Sequence, residues 1–183
     1  MIFRKIRKAI NSFCFWIRLN KHGKKIRVSR YNFFEGLKNI TIGSNFSAAD
    51  GFWLATYKKY CGFEYTPEIK IGDNVHLSRN CHIGAINKII IEDNVLIGSN
   101  VLINDHSHGE SMVSETARVQ MRLISKGPIV IKKNVWLGDN VCVMPNVEIG
   151  ENCIIGANSV VTKNIPANSM AAGVPAKVIK TLN

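Results

Sequence analysis

The chain has 183 residues, a formal net charge of +11 at pH 7 and five cysteines. A chain of this length suits one domain with a real core. Residues 1–30 hold ten basic side chains and no acidic one, which leaves 14 of the 24 basic and all 13 acidic side chains to the rest. The basic character therefore belongs to the amino-terminal segment, and the remainder is nearly neutral.

The cysteines are odd in number and show no CxxC spacing. Cys81, Cys142 and Cys153 fall inside the repeats described below, and two of them follow an asparagine. Buried free thiols in a reducing compartment are favoured over disulfides or zinc ligands. We therefore expect a cytoplasmic protein.

The amino-terminal segment, residues 1–39, contains one stripe of an amphipathic helix. Its longest uncharged run, residues 9–17, is too short to cross a bilayer, and no small-residue cleavage site follows it. The stripe packs on the end of the repeat domain or on a neighbouring subunit, or it contacts anionic lipid or a membrane enzyme at the inner membrane face. Nucleic acid is disfavoured, because no nucleic-acid motif accompanies the charge. The apolar residues of the stripe are Phe3, Ile6, Ile10, Phe13 and Ile17.

Hexapeptide repeats begin in the second segment, residues 40–183. After a first repeat at residues 42–46, an aromatic-rich stretch at residues 52–66 breaks the period. This stretch either caps the first coil or forms part of a sugar-binding wall, since aromatic faces stack on pyranose rings. The period returns at residue 69, and two extra residues widen one corner around residues 85–88.

A long polar excursion, residues 104–128, separates these repeats from the next group. Loops of that length in compact domains are usually functional or disordered. The excursion begins with Asn104-Asp105-His106-Ser107-His108-Gly109, in which His106 holds the corner position that asparagine holds elsewhere. We place the candidate chemistry here, where the pattern breaks.

The clearest repeats lie at residues 131–165. A period of six is neither the 3.6 of a helix nor the 2 of a strand, but short straight runs joined by tight corners produce it. Asparagine tolerates the left-handed conformation that such corners need, so the pattern predicts a β-solenoid with an inward ladder. The ladder residues are Ile131, Leu137, Val143, Ile149, Ile155 and Val161. The corner residues are Asn134, Asn140, Asn146, Asn152, Asn158 and Asn164.

Residues 131–140, 149–158 and the tail at residues 172–180 resemble the hexapeptide-repeat acyltransferases. The branch most similar to them contains the maltose, galactoside and polysaccharide O-acetyltransferases. The resemblance covers residues 40–180 and implies an all-β fold: a left-handed parallel β-helix with three hexapeptides per coil, usually assembled as a homotrimer. It also implies acetyl-CoA as co-substrate, and we expect no metal.

The same resemblance aligns the catalytic histidine of the family with His108 rather than His106, which we interpret as a corner residue. A sugar hydroxyl is a poor nucleophile at neutral pH, while an imidazole titrating near 6.5 can take its proton during attack. A backbone N–H beside the thioester would stabilise the oxyanion. Asp105 is a candidate either to orient an imidazole or to contact the acceptor.

Six further positions align with acetyl-CoA contacts of the relatives. Trp136 matches the tryptophan that lines the active-site tunnel of the relatives. Ala157, Thr162 and Lys163 match positions along the pantetheine arm and phosphates, and Lys177 and Lys180 match basic residues near the adenosine phosphates. Lysine at these last positions binds phosphate as a point charge, without the bidentate fork of arginine. The six are Trp136, Ala157, Thr162, Lys163, Lys177 and Lys180.

The expected function is O-acetylation of a carbohydrate hydroxyl in a polysaccharide, lipopolysaccharide or capsule precursor. Residues 46–51 lack the asparagine that the small-sugar enzymes carry near the first coil, which favours a larger glycan. Three alternatives stay open: an N-acetyltransferase of an amino sugar, a non-catalytic trimeric scaffold, and a zinc enzyme like the γ-class carbonic anhydrases. The zinc enzyme would use His76 and His82 with His106 or His108.

Overall fold

The computed structural model describes residues 15–109 and 115–183. Within these ranges the chain forms 24 short strands and two 3-10 helices, Leu37–Asn39 and Arg118–Gln120. Most of the predicted amphipathic stripe lies outside the described residues. No helix of the described ranges is long and apolar enough to cross a membrane.

The strands build three long sheets, and each turn of the chain adds one strand to each. In spatial order, the first sheet contains β1 (Lys21–His22), β4 (Ile40–Ile42), β9 (Glu68–Ile71), β12 (Lys88–Ile91), β17 (Ile129–Ile131) and β20 (Glu148–Ile149). The second contains β2 (Arg27–Val28), β5 (Ser47–Ala48), β10 (His76–Leu77), β13 (Leu96–Ile97), β18 (Trp136–Leu137), β21 (Ile154–Ile155), β23 (Ser169–Gly173) and β24 (Ala176–Thr181). The third contains β22 (Val160–Val161), β19 (Cys142–Val143), β14 (Leu102–Asn104), β11 (His82–Ala85), β6 (Trp53–Thr56) and β3 (Phe33–Glu35).

Pairing within these sheets is parallel between successive coils; only the final hairpin of β23 and β24 is antiparallel. Two further antiparallel hairpins lie outside the coils. One pairs β7 (Lys59–Tyr60) with β8 (Phe63–Glu64), and the other pairs β15 (Ser107–His108) with β16 (Leu123–Ile124). The chain is therefore a coil of three parallel sheets with two lateral hairpins.

The coils begin earlier than residue 40, the boundary expected from the hexapeptide pattern. β1, β2 and β3 pair in parallel with β4, β5 and β6, so residues 21–35 form a first coil. Lys25 and Tyr31 occupy its left-handed corners, each with φ 58°. The hexapeptide pattern misses this coil because neither corner residue is the asparagine found in later coils.

The aliphatic ladder lies inside the coil, as predicted. All six ladder residues of residues 131–165 are at most 1% exposed. Each such side chain contributes about 1.5–3 kcal/mol relative to leaving it in water. The first-coil end of this core is closed by Phe15, which is 1% exposed and lies 4.4 Å from the ring of Phe34.

Asparagines hold most of the sharp corners in the left-handed conformation. Five of the six predicted corner asparagines have φ between 59° and 62°, but the prediction is wrong for Asn164. The side chain of Asn164 instead accepts a hydrogen bond from the backbone N–H of Glu148 at 2.8 Å. The left-handed residue of that coil is Asn168, with φ 55°.

The corner asparagines are also bonded to one another along the coil axis. The amide of Asn80 donates to Asn100 at 3.2 Å, Asn100 donates to Asn140 at 3.0 Å, and Asn140 donates to Asn158 at 3.0 Å. Each amide can donate to one neighbour and accept from the other, which suits an unbroken stack. This stack of asparagines, the asparagine ladder, therefore joins successive corners by hydrogen bonds rather than by apolar burial.

Candidate active site

The excursion after Asn104 leaves the third sheet as a two-stranded arm, β15 and β16. His108 lies opposite Leu123 in its antiparallel register. The backbone N–H of Gly109 donates to the carbonyl of Arg122 at 2.9 Å, which extends the pairing by one residue. His108 is therefore carried by a defined strand rather than by irregular chain.

A glycine is required directly after His108. Gly109 has φ 68°, and a Cβ added there would collide with Sδ of Met121. Other residues rarely adopt this conformation, and a side chain there would require Sδ of Met121 to move aside. The His-Gly sequence is thus dictated by how the arm closes on itself.

Asp105 fastens the start of the arm to the neighbouring coil. Its side chain is fully buried, and its two carboxylate oxygens accept hydrogen bonds from the backbone N–H groups of Ile86 and Asn87, each at 2.9 Å. These are the two residues by which that coil exceeds the later ones. The carboxylate is enclosed within this chain.

The imidazole that Asp105 orients is that of His106, not His108. Nδ1 of His106 lies 3.0 Å from Oδ1 of Asp105, and the His106 side chain is 7% exposed. A buried polar pair of this kind is stable because each partner satisfies the other. His106 takes the place that asparagine holds at other corners but lacks their left-handed backbone, so its interpretation as a corner residue is wrong for the backbone conformation.

His82 lies beside this pair in an aromatic column on the third sheet. Its ring stacks on Trp53 at 5.2 Å, and Trp53 stacks on Phe33 at 4.0 Å. Burial lowers the pKa of His82, and the charge of His106 lowers it further. Both effects favour the neutral form of the His82 imidazole.

His108 is the exposed histidine of the arm. Its ring lies 5.3 Å from that of Tyr60 at an interplanar angle of 72°, an edge-to-face contact. In the described chain its ring nitrogens make no hydrogen bond. They remain available to a substrate, which is what a general base needs.

The aromatic stretch at residues 52–66 packs against this arm. Tyr57 meets His106 edge to face at 5.7 Å, the hydroxyl of Tyr60 donates to the carbonyl of Val119 at 3.2 Å, and Tyr65 accepts from the N–H of Leu123 at 2.8 Å.

The sequence pattern allowed a cap or a sugar wall for this stretch and did not reveal its contact with the histidines. A signal existed. Both interruptions of the repeat follow strands of the third sheet, β6 and β14, which are separated by one strand only.

Of the residues aligned with donor contacts, Trp136 and Lys180 lie in one row of the second sheet. Trp136 is 49% exposed and pairs with Ile154, Ile154 pairs with Met170, and Met170 pairs with Lys180. Three strand spacings separate the ends of this row, about 14 Å. Lys177 is exposed on β24, the strand that carries Lys180.

The other aligned residues occupy corners. Ala157 is exposed at the corner after β21, with its backbone against Gly138, while Thr162 and Lys163 are exposed at the corner after β22. Within the chain, the row from Trp136 to Lys180 lies on the second sheet, whereas Thr162 and Lys163 follow a strand of the third sheet. No hydrogen bond or ring contact of the described residues joins any of them to His108.

The histidines proposed for zinc do not gather within the chain. His76 lies on the second sheet, with Nδ1 2.7 Å from Oγ of Ser47, while His82 lies on the third sheet. Among the described residues no group of three potential ligands is found. Within one chain, these positions do not form the three-histidine set that the zinc alternative requires.

Comparison with known proteins identifies the family. The family models "Bacterial transferase hexapeptide (six repeats)" and "Hexapeptide repeat of succinyl-transferase" match residues 128–163 and 88–104. The Escherichia coli protein "Putative lipopolysaccharide biosynthesis O-acetyl transferase WbbJ" is 38% identical over 150 residues, which cover 79% of this chain and 73% of that protein.

Solved structures share the fold. A hexapeptide-repeat-containing acetyltransferase from Vibrio cholerae, also solved with acetyl coenzyme A, has a TM-score of 0.68 at 25% identity, covering 96% of this chain and 81% of its own. A mutant of the Bacillus cereus N-acyltransferase AntD, in complex with dTDP-4-amino-4,6-dideoxyglucose and coenzyme A, has a TM-score of 0.73 at 23% identity and covers 91% and 86%.

The parallel three-sheet coil, taken with these relatives, defines an acyltransferase of the β-helix class. The chain belongs to the hexapeptide-repeat acetyltransferase family. The predicted left-handed parallel β-helix is confirmed.

Proposed function

We propose that this enzyme is an acetyl-CoA-dependent O-acetyltransferase that modifies a carbohydrate hydroxyl of a polysaccharide, lipopolysaccharide or capsule precursor. The observation that carries the proposal is the exposed imidazole of His108 on a defined arm of the β-helix. The relationship to WbbJ at 38% identity supports the O-acetyl reaction and the glycan acceptor.

The proposed reaction is direct transfer. His108 takes the proton of the acceptor hydroxyl as its oxygen attacks the thioester carbonyl. The C–O bond forms, the C–S bond breaks, and the thiolate of coenzyme A leaves with the proton that His108 carried. No covalent acyl-enzyme is needed, and a backbone N–H stabilises the oxyanion.

The donor would lie along the row from Trp136 to Lys180. Trp136 exposes half of its surface beside Leu96, which is 48% exposed, and this apolar strip suits the pantetheine arm. Lys177 and Lys180 supply cations for the phosphates at the far end of the row. Ala157, Thr162 and Lys163 are proposed contacts that follow from the family alignment.

We further propose a homotrimer in which the arm of one copy meets the second sheet of another. Two features support this arrangement: His108 has no contact with Trp136 within the described chain, and the row around Trp136 exposes apolar side chains. A site completed between copies would bring the base to the donor.

The test is an acceptor panel with detection of free coenzyme A. Wild type and His108→Ala are given acetyl-CoA with simple sugars, amino sugars and bacterial polysaccharides. We expect coenzyme A release that depends on a glycan hydroxyl and is lost in His108→Ala, while acetyl-CoA binding persists. Release at the wild-type rate in the mutant would refute the assignment of the base.

The same panel separates the second candidate function. AntD is an N-acyltransferase with the same fold. Turnover with amino sugars alone would assign this enzyme to N-acetylation. Absence of coenzyme A binding would favour the scaffold, and zinc in the purified protein would favour the hydratase.

A cytoplasmic location, with contact between residues 1–30 and the inner membrane face, is also proposed. Trp16 and Ile17 are 37% and 61% exposed, and residues 15–30 contain six basic and no acidic side chains. Each basic side chain near an anionic surface contributes about 1 kcal/mol. We expect salt-sensitive co-sedimentation with phosphatidylserine vesicles, weakened in Lys24→Glu/Lys25→Glu; equal binding to neutral vesicles would contradict this.

A further inference from the structure

The arm that carries His108 needs support from outside itself. An isolated two-stranded hairpin is marginally stable in water. β15 and β16 contain two residues each, and His108 is exposed at their pairing. Whatever fixes the His108 ring must therefore contact the arm from another part of the chain.

A lateral hairpin supplies these contacts. We use the name tyrosine clamp for Tyr57, Tyr60 and Tyr65, which lie in and beside the hairpin of β7 and β8. Tyr60 contacts the His108 ring on one strand of the arm, and the hydroxyl of Tyr65 accepts the N–H of Leu123 on the other. Leu123 is the register partner of His108, so the two tyrosines hold the same pair from two sides.

The tyrosine clamp is itself fixed to the coil. The backbone N–H of Tyr57 donates to the carbonyl of Ala85 at 2.9 Å, and Nε1 of Trp53 donates to the Tyr57 hydroxyl at 3.2 Å. Tyr65 closes the base of the hairpin by donating its N–H to the carbonyl of Lys58 at 2.9 Å. The hairpin that contacts the arm is thus hydrogen-bonded to strands β6 and β11 of the third sheet.

The turn of the β7–β8 hairpin and two hydrogen bonds to Val119 position the Tyr60 side chain beside the arm. Cys61 and Gly62 both have positive φ, 46° and 84°, as in the tight two-residue turns that match strand twist. Beyond the turn, the hydroxyl of Tyr60 and the thiol of Cys61 both donate to the carbonyl of Val119, at 3.2 and 3.4 Å. The Tyr60 ring is thereby held against the His108 ring.

We propose that Tyr60 is a positioning residue of the transfer reaction, which holds the His108 imidazole at the angle needed for proton removal. The inference rests on the proposed role of His108 as base. Displacement of a catalytic group by about 1 Å can reduce a rate a hundredfold. The ring contact, rather than the hydroxyl, carries this role, since the hydroxyl bonds to Val119 and not to His108.

The experiment compares Tyr60→Leu with Tyr60→Phe, and uses Phe63→Leu as matched control. Phe63 pairs with Tyr60 in the same hairpin, and its ring is 48% exposed. We expect Tyr60→Leu to lower kcat about tenfold or more with the KM for acetyl-CoA unchanged. Tyr60→Phe should restore the rate, and Phe63→Leu should match wild type.

A second readout follows the contact directly. The ring current of Tyr60 shifts the Cε1–H resonance of His108 in histidine-labelled protein, and this shift should persist in Tyr60→Phe and vanish in Tyr60→Leu. If Tyr60→Leu does not fold, Tyr60→Met serves instead: it removes the aromatic ring but keeps a long apolar side chain, and we expect a lower kcat at unchanged KM. A wild-type kcat in the variant that folds would overturn the inference.

The same variants in the His108→Ala background separate the two proposals. We expect Tyr60→Leu to cause no further loss there, because it acts through His108. Additive loss in that background would overturn the positioning role. A wild-type rate with Tyr60→Leu, beside an inactive His108→Ala, would overturn this inference alone, whereas full activity of His108→Ala would refute the proposed base and the inference together.

Discussion

At the residue scale, the half-buried side chain of His82 lies between the aromatic column and the Asp105–His106 pair. Its pKa in the folded protein lies below its ordinary value of 6.5, first because of burial and second because of His106. The unfolded chain therefore binds more protons than the folded chain between the two pKa values. The contribution of His82 to stability is present above pH 6.5 and is lost as the pH falls toward the lowered value.

We predict that His82→Phe reduces this loss. Phenylalanine keeps a ring against Trp53 but has no proton to bind. Melting temperatures measured between about pH 5 and 8 should fall less steeply below pH 6.5 in the variant than in wild type. Identical slopes for the two proteins would show that His82 does not titrate in this way.

Single residues could be predicted where the family alignment and chain spacing fix them. His108 follows from its place after the preceding ladder, and the exposed histidine does lie on the arm. The partner of Asp105 could not be predicted, because its carboxylate position depends on the amides of residues 86 and 87 in another coil. Tyr60 was missed for the same reason, since the hairpin and arm meet only in three dimensions.

At the scale of elements, corner geometry explains most of the coil. Asn140 has φ 59° and belongs to the asparagine ladder, whereas Asn164 has no left-handed backbone and makes one side-chain hydrogen bond to Glu148. The two asparagines hold equivalent sequence positions but make different contacts. They form a natural pair for comparison.

We predict that Asn140→Ala destabilises the fold more than Asn164→Ala. An alanine in the left-handed conformation costs about 1–2 kcal/mol, and the ladder bonds are lost as well. Asn164→Ala loses one hydrogen bond, worth about 0.5–1.5 kcal/mol. Urea unfolding would measure both, and equal losses would contradict a backbone role for Asn140.

The coil strands within residues 69–103 and 129–161 could be predicted because most of their corners are asparagines. The first coil could not, since Lys25 and Tyr31 hold its corners and give no hexapeptide signal. The sequence shows which residues readily adopt the left-handed conformation. It does not show that pairing with the next coil holds Lys25 in that conformation. The parallel pairing of β1 with β4 and of β2 with β5 fixes the backbone on both sides of Lys25.

At the scale of the whole molecule, the proposed base His108 and the proposed donor row from Trp136 to Lys180 make no contact within the described chain. We predict a particle of about three times the chain mass of 20.4 kDa by light scattering. Leu96→Asp should lower this mass, because it introduces a charge into the exposed apolar row beside Trp136. A monomeric wild-type protein with full activity would contradict a site completed between copies.

The identity of the base is the central claim, and two histidines of the arm compete for it. His106 is paired with a buried carboxylate, as many catalytic histidines are, but it is 7% exposed, whereas His108 is exposed beside Tyr60. Accessibility favours His108 as the proposed base, since a general base must reach the proton it removes.

The most direct measurement is kcat for acetyl transfer in His108→Ala beside His106→Gln, with acetyl-CoA binding measured for each. Glutamine can still donate to Asp105, so the corner is preserved. We predict a fall of about 10²–10⁴ for His108→Ala at unchanged acetyl-CoA affinity, and most of the wild-type rate for His106→Gln. A wild-type rate in His108→Ala, with the loss found in folded His106→Gln instead, would contradict this account.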